Sequence, residues 1–260
     1  MKEGSDGARL APEWRRWVVE NLLRGAEAPD LVEVLVGAGV DAAVAREAVE
    51  AELEDPCFEG TRKALALNRK LEGLLDMYGE LYRQAEGHER VDRRESLSRE
   101  EFFDRYYFQN RPVVMRGSVV DPASVEDWRP EQLIPWLECF EKDSGGVPLK
   151  EGVRQEAHPV TRNILLCQVH GRLRLQLIPA FELRRMTGGA EEQAAVSRLE
   201  VELEPGDLAL LPVGWWYAWR ALEANVAVNM FAFAASEPNV GWEREPAPPE
   251  PTPPPWRKHG

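Results

Sequence analysis

From residue 163 onward the chain offers one strand-like run after another. They read NILLCQVHG, RLRLQLIPA, SRLEVELEPGDLALLP, YAWRAL and NVAVNMFAFA, with Gly, Pro or Asn between them. Several alternate apolar and polar residues, as Arg172 to Leu177 does, which is the signature of a half-buried strand. Strands at this spacing without long helical repeats between them predict an antiparallel barrel or sandwich. The fold class expected is therefore mainly β, preceded by an α-helical N-terminal region.

The N-terminal part has a different texture. Residues 1–10 are polar and are expected to be loose. Residues 11–56 predict three short helices. Pro12 suits a helix start, Trp14, Trp17, Val18, Asn21 and Leu22 recur at helical spacing, Gly25 ends the first helix, and Asp41 caps the third. The layout is similar to small ubiquitin-associated or CUE-type bundles, and a packing cap for the following domain is the favoured reading. Residues 57–96 predict a long helix (59–86) and a charged linker, EGHERVDRRES. Ala64, Leu67, Leu71, Leu74, Tyr78 and Leu81 alternate steps of three and four along that helix, an a/d seam. With fewer than four heptads, the seam is expected to dock within the chain; pairing with a second copy is the other option, so a homodimer through the 59–86 helix stays open. Ser98 to Glu101 forms a capping-box pattern at the start of a domain running over 97–238. Residues 239–260, ending in PAPPEPTPPPWRKHG, predict a Pro-rich disordered tail.

Composition limits the function. The net charge of −13 over 260 residues argues against nucleic acid and anionic membranes as partners. Three cysteines (Cys57, Cys139 and Cys167) show no zinc or disulfide spacing, and there are only four histidines. No apolar run is long enough to span a bilayer, and the first residues show no signal core, so a cytoplasmic setting is expected. No nucleophile elbow, Walker loop or dinucleotide fingerprint is present.

Three ordered stretches carry a family resemblance: FFDRYYFQNRPVVMRG followed by DWRPEQL; NILLCQVHGRLRLQLIP; and LEPGDLALLPVGWWYAWRALEANVAVNMFAF. Together they resemble the JmjC/cupin-like Fe(II)- and 2-oxoglutarate-dependent dioxygenases over roughly residues 97–235. The resemblance implies a double-stranded β-helix and, in active members, hydroxylation of proteins or peptides or demethylation of lysines. Such chemistry needs two His and one carboxylate on one face of the iron. The motif places the first His at His158, the carboxylate at Val160 and the second His at Tyr217. The co-substrate lysine position is Leu173, a frequent Asn position is Ile164, and Asn229 matches a polar pocket residue. One of the three metal ligands remains.

The resemblance with these departures implies a catalytically degenerate protein that serves as a binding or regulatory subunit for a protein or peptide partner, an active relative among the candidates. No cofactor is then expected. The residual pocket would comprise His158, Tyr217, Asn229, Val160, Leu173 and Ile164, with Trp215, Trp216 and Trp219 as a candidate cleft or as packing. One alternative is an active hydroxylase, with Fe(II) and 2-oxoglutarate at an unconventional metal site built on His158. A second is a purely structural barrel whose pocket is filled by Val160, Leu173, Ile164 and Tyr217.

Overall fold

The computed structural model describes residues 10–117, 134–142 and 149–242. The segments 1–9 and 243–260, the DWRPEQL stretch and residues 143–148 lie outside the described residues. The chain divides into two compact units, Met1–Met77 and Tyr78–Gly260.

The first unit is helical. α1 (Pro12–Arg24) starts on a proline and stops at Gly25, whose backbone at φ 102° lets Gly25 and Ala26 bond back to the last carbonyls. α2 (Ala28–Gly37) follows. α3 (Ala42–Glu54) is capped by Asp41, whose carboxylate accepts from the amides of Ala43 (2.9 Å) and Val44 (3.2 Å). One apolar residue per turn faces inward: Val18 and Leu22, Leu31 and Leu35, Ala45 and Val49. α4 (Pro56–Gln84) contributes Phe58 to this core. From Glu59 to Tyr78, α4 has no buried residue. Arg15 reaches across to the largely buried Glu52 through two hydrogen bonds.

The second unit is mostly β, with two sheets. The six-stranded sheet runs β1 (Asp92–Arg94), β2 (Val113–Arg116), β8 (Asp207–Leu211), β5 (Ile164–His170), β10 (Val226–Phe233), β3 (Cys139–Lys142). Only the β1–β2 pair within it is parallel. The four-stranded sheet runs β4 (Arg154–Pro159), β9 (Trp216–Ala221), β6 (Leu173–Ile178), β7 (Leu199–Leu203), all antiparallel. Neither sheet closes on itself.

Strand texture follows from layer position. β5 and β8 are apolar on both faces because both faces are covered. Leu165, Cys167, Val169, Leu208 and Leu210 pack with Phe102, Phe103, Tyr106 and Tyr107 on one side. Ile164, Leu166, Ala209 and Leu211 pack on the other side with Leu173, Leu175, Leu177 and Leu203 of the four-stranded sheet. β6 and β7 keep one wet face, so they alternate. There Arg174 bonds Glu202 at 2.6 Å and Gln176 bonds Glu200 at 3.0 Å.

The aromatic layer comes from α5 (Arg99–Phe102), capped by Ser98 at 3.1 Å from the Glu101 amide, which widens into a π-turn over Phe103–Tyr107. Between β6 and β7 lie a short 3₁₀ turn (Ala180–Glu182), α6 (Leu183–Met186) and α7 (Ala190–Ala194), none of them expected from the sequence.

One expectation changes. The linker anticipated within 57–96 carries β1, and Cys139–Lys142, without a strand signal in the sequence, forms β3. Neither strand has an apolar repeat. β1 is held by Arg93, which donates to the Asp207 carboxylate at 2.8 Å, and β3 by edge pairing with β10. Among the described residues, no helix is long and apolar enough to cross a membrane.

Candidate functional site

Two of the motif positions meet at one corner of the four-stranded sheet. His158 on β4 lies directly opposite Tyr217 on β9, which in turn lies opposite Leu177 on β6. The rings of His158 and Tyr217 are 4.0 Å apart between centroids, at 52°. The His158 Nδ1–H donates to the Glu156 carbonyl at 3.2 Å. That tautomer, assigned from these contacts, leaves Nε2 to accept from the Gln155 amide, also at 3.2 Å. The lone pair a metal would need is thus already met by an N–H.

Val160 lies two residues beyond His158, hence on the same side of the chain. It is 0 % exposed. Its amide donates to the Trp215 carbonyl at 2.7 Å, and its carbonyl accepts from Gly214 at 2.8 Å. Val160, Ile164, Leu173 and Tyr217 all belong to one buried apolar cluster, together with Leu175, Leu177 and Phe231. Asn229 on β10 sits between Ala227 and Phe231 in the alternation, so it shares the face that meets this cluster. Four of the six expected pocket residues thus belong to one extended apolar layer and Asn229 shares its face, but Leu173, opposite Ala221, lies four residues along the sheet from the corner where His158 meets Tyr217.

The residues at the family's ligand positions do not fit an iron ion. Val160 has no donor atom, and Tyr217 replaces an imidazole. The nearest sequence carboxylate, Glu156, is exposed and paired with Arg154 at 3.3 Å. Among the described residues no group of three His, Cys, Asp or Glu is placed to hold a metal.

The tryptophans separate. Trp215 is buried, and its indole N–H donates to the Asn110 carbonyl at 3.0 Å. Trp219 packs against the same apolar cluster as Trp215. Trp216 falls on the opposite face of β9, because the period is two. The expected three-tryptophan cleft is therefore not formed by one surface. The turn that carries the motif is fixed structurally. Gly214 adopts φ 84°, a region a side chain disfavours, while the Asn163 side chain accepts from Val213 at 2.8 Å.

The most polar buried group lies elsewhere in this unit. Asp207 is 0 % exposed. Its carboxylate accepts from Arg93 (2.8 Å), Arg116 (2.9 Å) and the Glu204 amide (2.9 Å). These contacts hold the Arg116 guanidinium above its ordinary value, first through the hydrogen bond to Asp207 and then that to Glu204. A second buried carboxylate, Glu182, is held by Arg185 at 2.9 Å and by Arg83 at 3.5 Å. Sequence reasoning did not join Asp207 to Arg93. No local pattern joins two residues 114 positions apart. Both carboxylates are fully engaged by arginine, an arrangement that fixes chain segments and leaves no free acid for chemistry.

In the helical unit a groove runs along α1 and the first turn of α4, lined by Pro12, Arg15, Val19, Leu23, Glu52 and Phe58. No family model matches the chain, and no curated protein matches it.

Proposed function

We propose that the 97–238 region is a JmjC/cupin-like double-stranded β-helix that has lost its catalytic machinery. It acts as a binding or regulatory subunit for a protein or peptide partner. The observation that supports this reading is Val160. It stands at the carboxylate position two residues from His158, fully buried in the apolar cluster that also holds Ile164, Leu177 and Tyr217. An acid there would be desolvated among apolar side chains. The rings of His158 and Tyr217 lie against each other, tilted by 52°.

The same packing favours a second reading, in which the region is purely structural and partners meet its outer surface. The two share a filled corner and differ in whether a ligand enters beside His158 and Asn229.

The test is an anaerobic titration of the purified chain with Fe(II) and with 2-oxoglutarate, following bound metal and tryptophan fluorescence. The expected result is no saturable binding of either at millimolar levels. Stoichiometric binding of both, abolished by His158→Ala, overturns the proposal in favour of an active hydroxylase.

A further inference from the structure

Two stretches of the β unit repeat one charge pattern, a pair of arginines set three and two residues before a hydroxyl. They are Arg93-Arg94-Glu95-Ser96 and Arg184-Arg185-Met186-Thr187. In each, one arginine is committed to a buried carboxylate: Arg93 to Asp207 at 2.8 Å, and Arg185 to Glu182 at 2.9 Å. The hydroxyls differ. Thr187 closes α6, and its hydroxyl is shared between the Leu183 and Arg184 carbonyls at 3.1 and 3.0 Å. Ser98 is likewise engaged, as the cap of α5. Ser96 is exposed between β1 and α5, and no group among the described residues bonds its hydroxyl.

That setting suits a kinase. Serine/threonine kinases take their substrates as extended chain, and those with carboxylates along the groove select arginines ahead of the acceptor. β1 is three residues long, already extended, and paired on one side only among the described residues. Leu97, directly after Ser96, is only partly buried against the aromatic cluster. Arg93 rests on Asp207, and Arg94 on Glu101 at 2.8 Å. A carboxylate-lined groove offers the same guanidinium pairing, so it competes with the fold for the same two side chains.

We propose that Ser96 is a phosphorylation site for an arginine-directed serine/threonine kinase, gated by release of β1 from Asp207. The γ-phosphoryl of ATP passes to the Ser96 Oγ. An O–P bond forms there, the bond from the γ-phosphorus to the β–γ bridging oxygen breaks, ADP leaves, and the hydroxyl proton goes to the kinase's base. The product carries a charge of about −1.5 to −2 close in sequence to Arg93 and Arg94. It can hold the arginines that β1 needs, so the modified edge re-pairs poorly. Thr187 is a built-in control, with the same charges and a hydroxyl tied into a helical turn. The inference stands whether or not the His158 corner binds anything.

The test incubates the full chain with MgATP and a kinase that selects Arg three and two residues before the acceptor. A peptide of residues 90–100 is run beside it, and sites are mapped by mass spectrometry. The expected result is about one phosphate per chain, at Ser96, absent in Ser96→Ala, with Thr187 modified at least about tenfold more slowly. Deuterium uptake at residues 92–94 should then rise about tenfold. Asp207→Asn keeps an acceptor oxygen and drops the charge, so it should raise the initial rate at Ser96 about fivefold. Glu101→Gln, which loosens Arg94, should raise it less. General unfolding would raise Thr187 in step, so the ratio of the two sites separates release of β1 from loss of the fold.

A peptide that is modified beside a chain that is not overturns the proposal. So does a peptide that is refused, or Thr187 keeping pace with Ser96. An unchanged rate in Asp207→Asn overturns the gate.

Discussion

Two buried corners of the β unit invert what their surroundings suggest. At Asp207 a carboxylate sits in the protein interior, met by two arginines and a backbone amide. At Val160, where the resemblance calls for a carboxylate, the side chain joins a cluster of buried apolar residues. Buried polarity in this molecule marks the joining of distant strands, and the position expected to do chemistry has been given to packing. A buried charge is therefore not a sufficient pointer to a reactive site. Here the cue is whether its lone pairs are already taken, and at Asp207 they are.

Three changes probe that contrast, taken from the largest expected effect to the smallest. Asp207→Ala should cost about 2–4 kcal/mol in urea unfolding, because hydrogen bonds to a charged group are lost and Arg93 and Arg116 keep their charge without a partner. Asp207→Asn should cost less, since its side-chain oxygen can still accept from Glu204. A loss below that of an ordinary surface substitution would remove the architectural role assigned to this acid.

Val160→Asp with Tyr217→His rebuilds the family's ligand set around His158. It should destabilise the unit by about 1–3 kcal/mol through an acid buried among leucines, and added Fe(II) should return part of that loss. Metal that leaves the melting temperature of the variant unchanged would show that these three positions do not share a metal-sized volume.

The smallest effect concerns pH. Burial, first among the causes, pushes the phenols of Tyr82, Tyr106 and Tyr107 above their ordinary value. A raised folded-state value means stability fully present below the unfolded value near 10 and lost as pH climbs through the folded values. Thermal melts should therefore be unaffected by these groups at neutral pH and fall above about pH 10. Tyr106→Phe, which removes the hydrogen bond to Asp92 (3.1 Å), should make that fall shallower.

The sequence made some of this legible for plain reasons. Continuous apolar runs at β5 and β8, against alternation at β6 and β7, report whether one face or two is covered. The family resemblance set His158 and Tyr217 at related positions, and the strand pairing puts them opposite each other. β1 was not readable, because Asp92-Arg93-Arg94 has no apolar residue and its anchor is a carboxylate far along the chain. β3 was hidden for a related reason: an edge strand with Phe140 73 % exposed needs no inward repeat. The three tryptophans were grouped by proximity in sequence, whereas the pleat sends Trp216 to the other side.

The covering of the six-stranded sheet also sets a clock. β5 and β8 each have a paired neighbour on both sides and a packed layer on both faces, so their amides can meet solvent only when the whole unit opens. β1 and β3, at the two edges, can let go by themselves. Deuterium should enter the edges quickly and the centre last. The interval between the two measures how much more free energy the centre requires, and it ranks the strands by how late they yield.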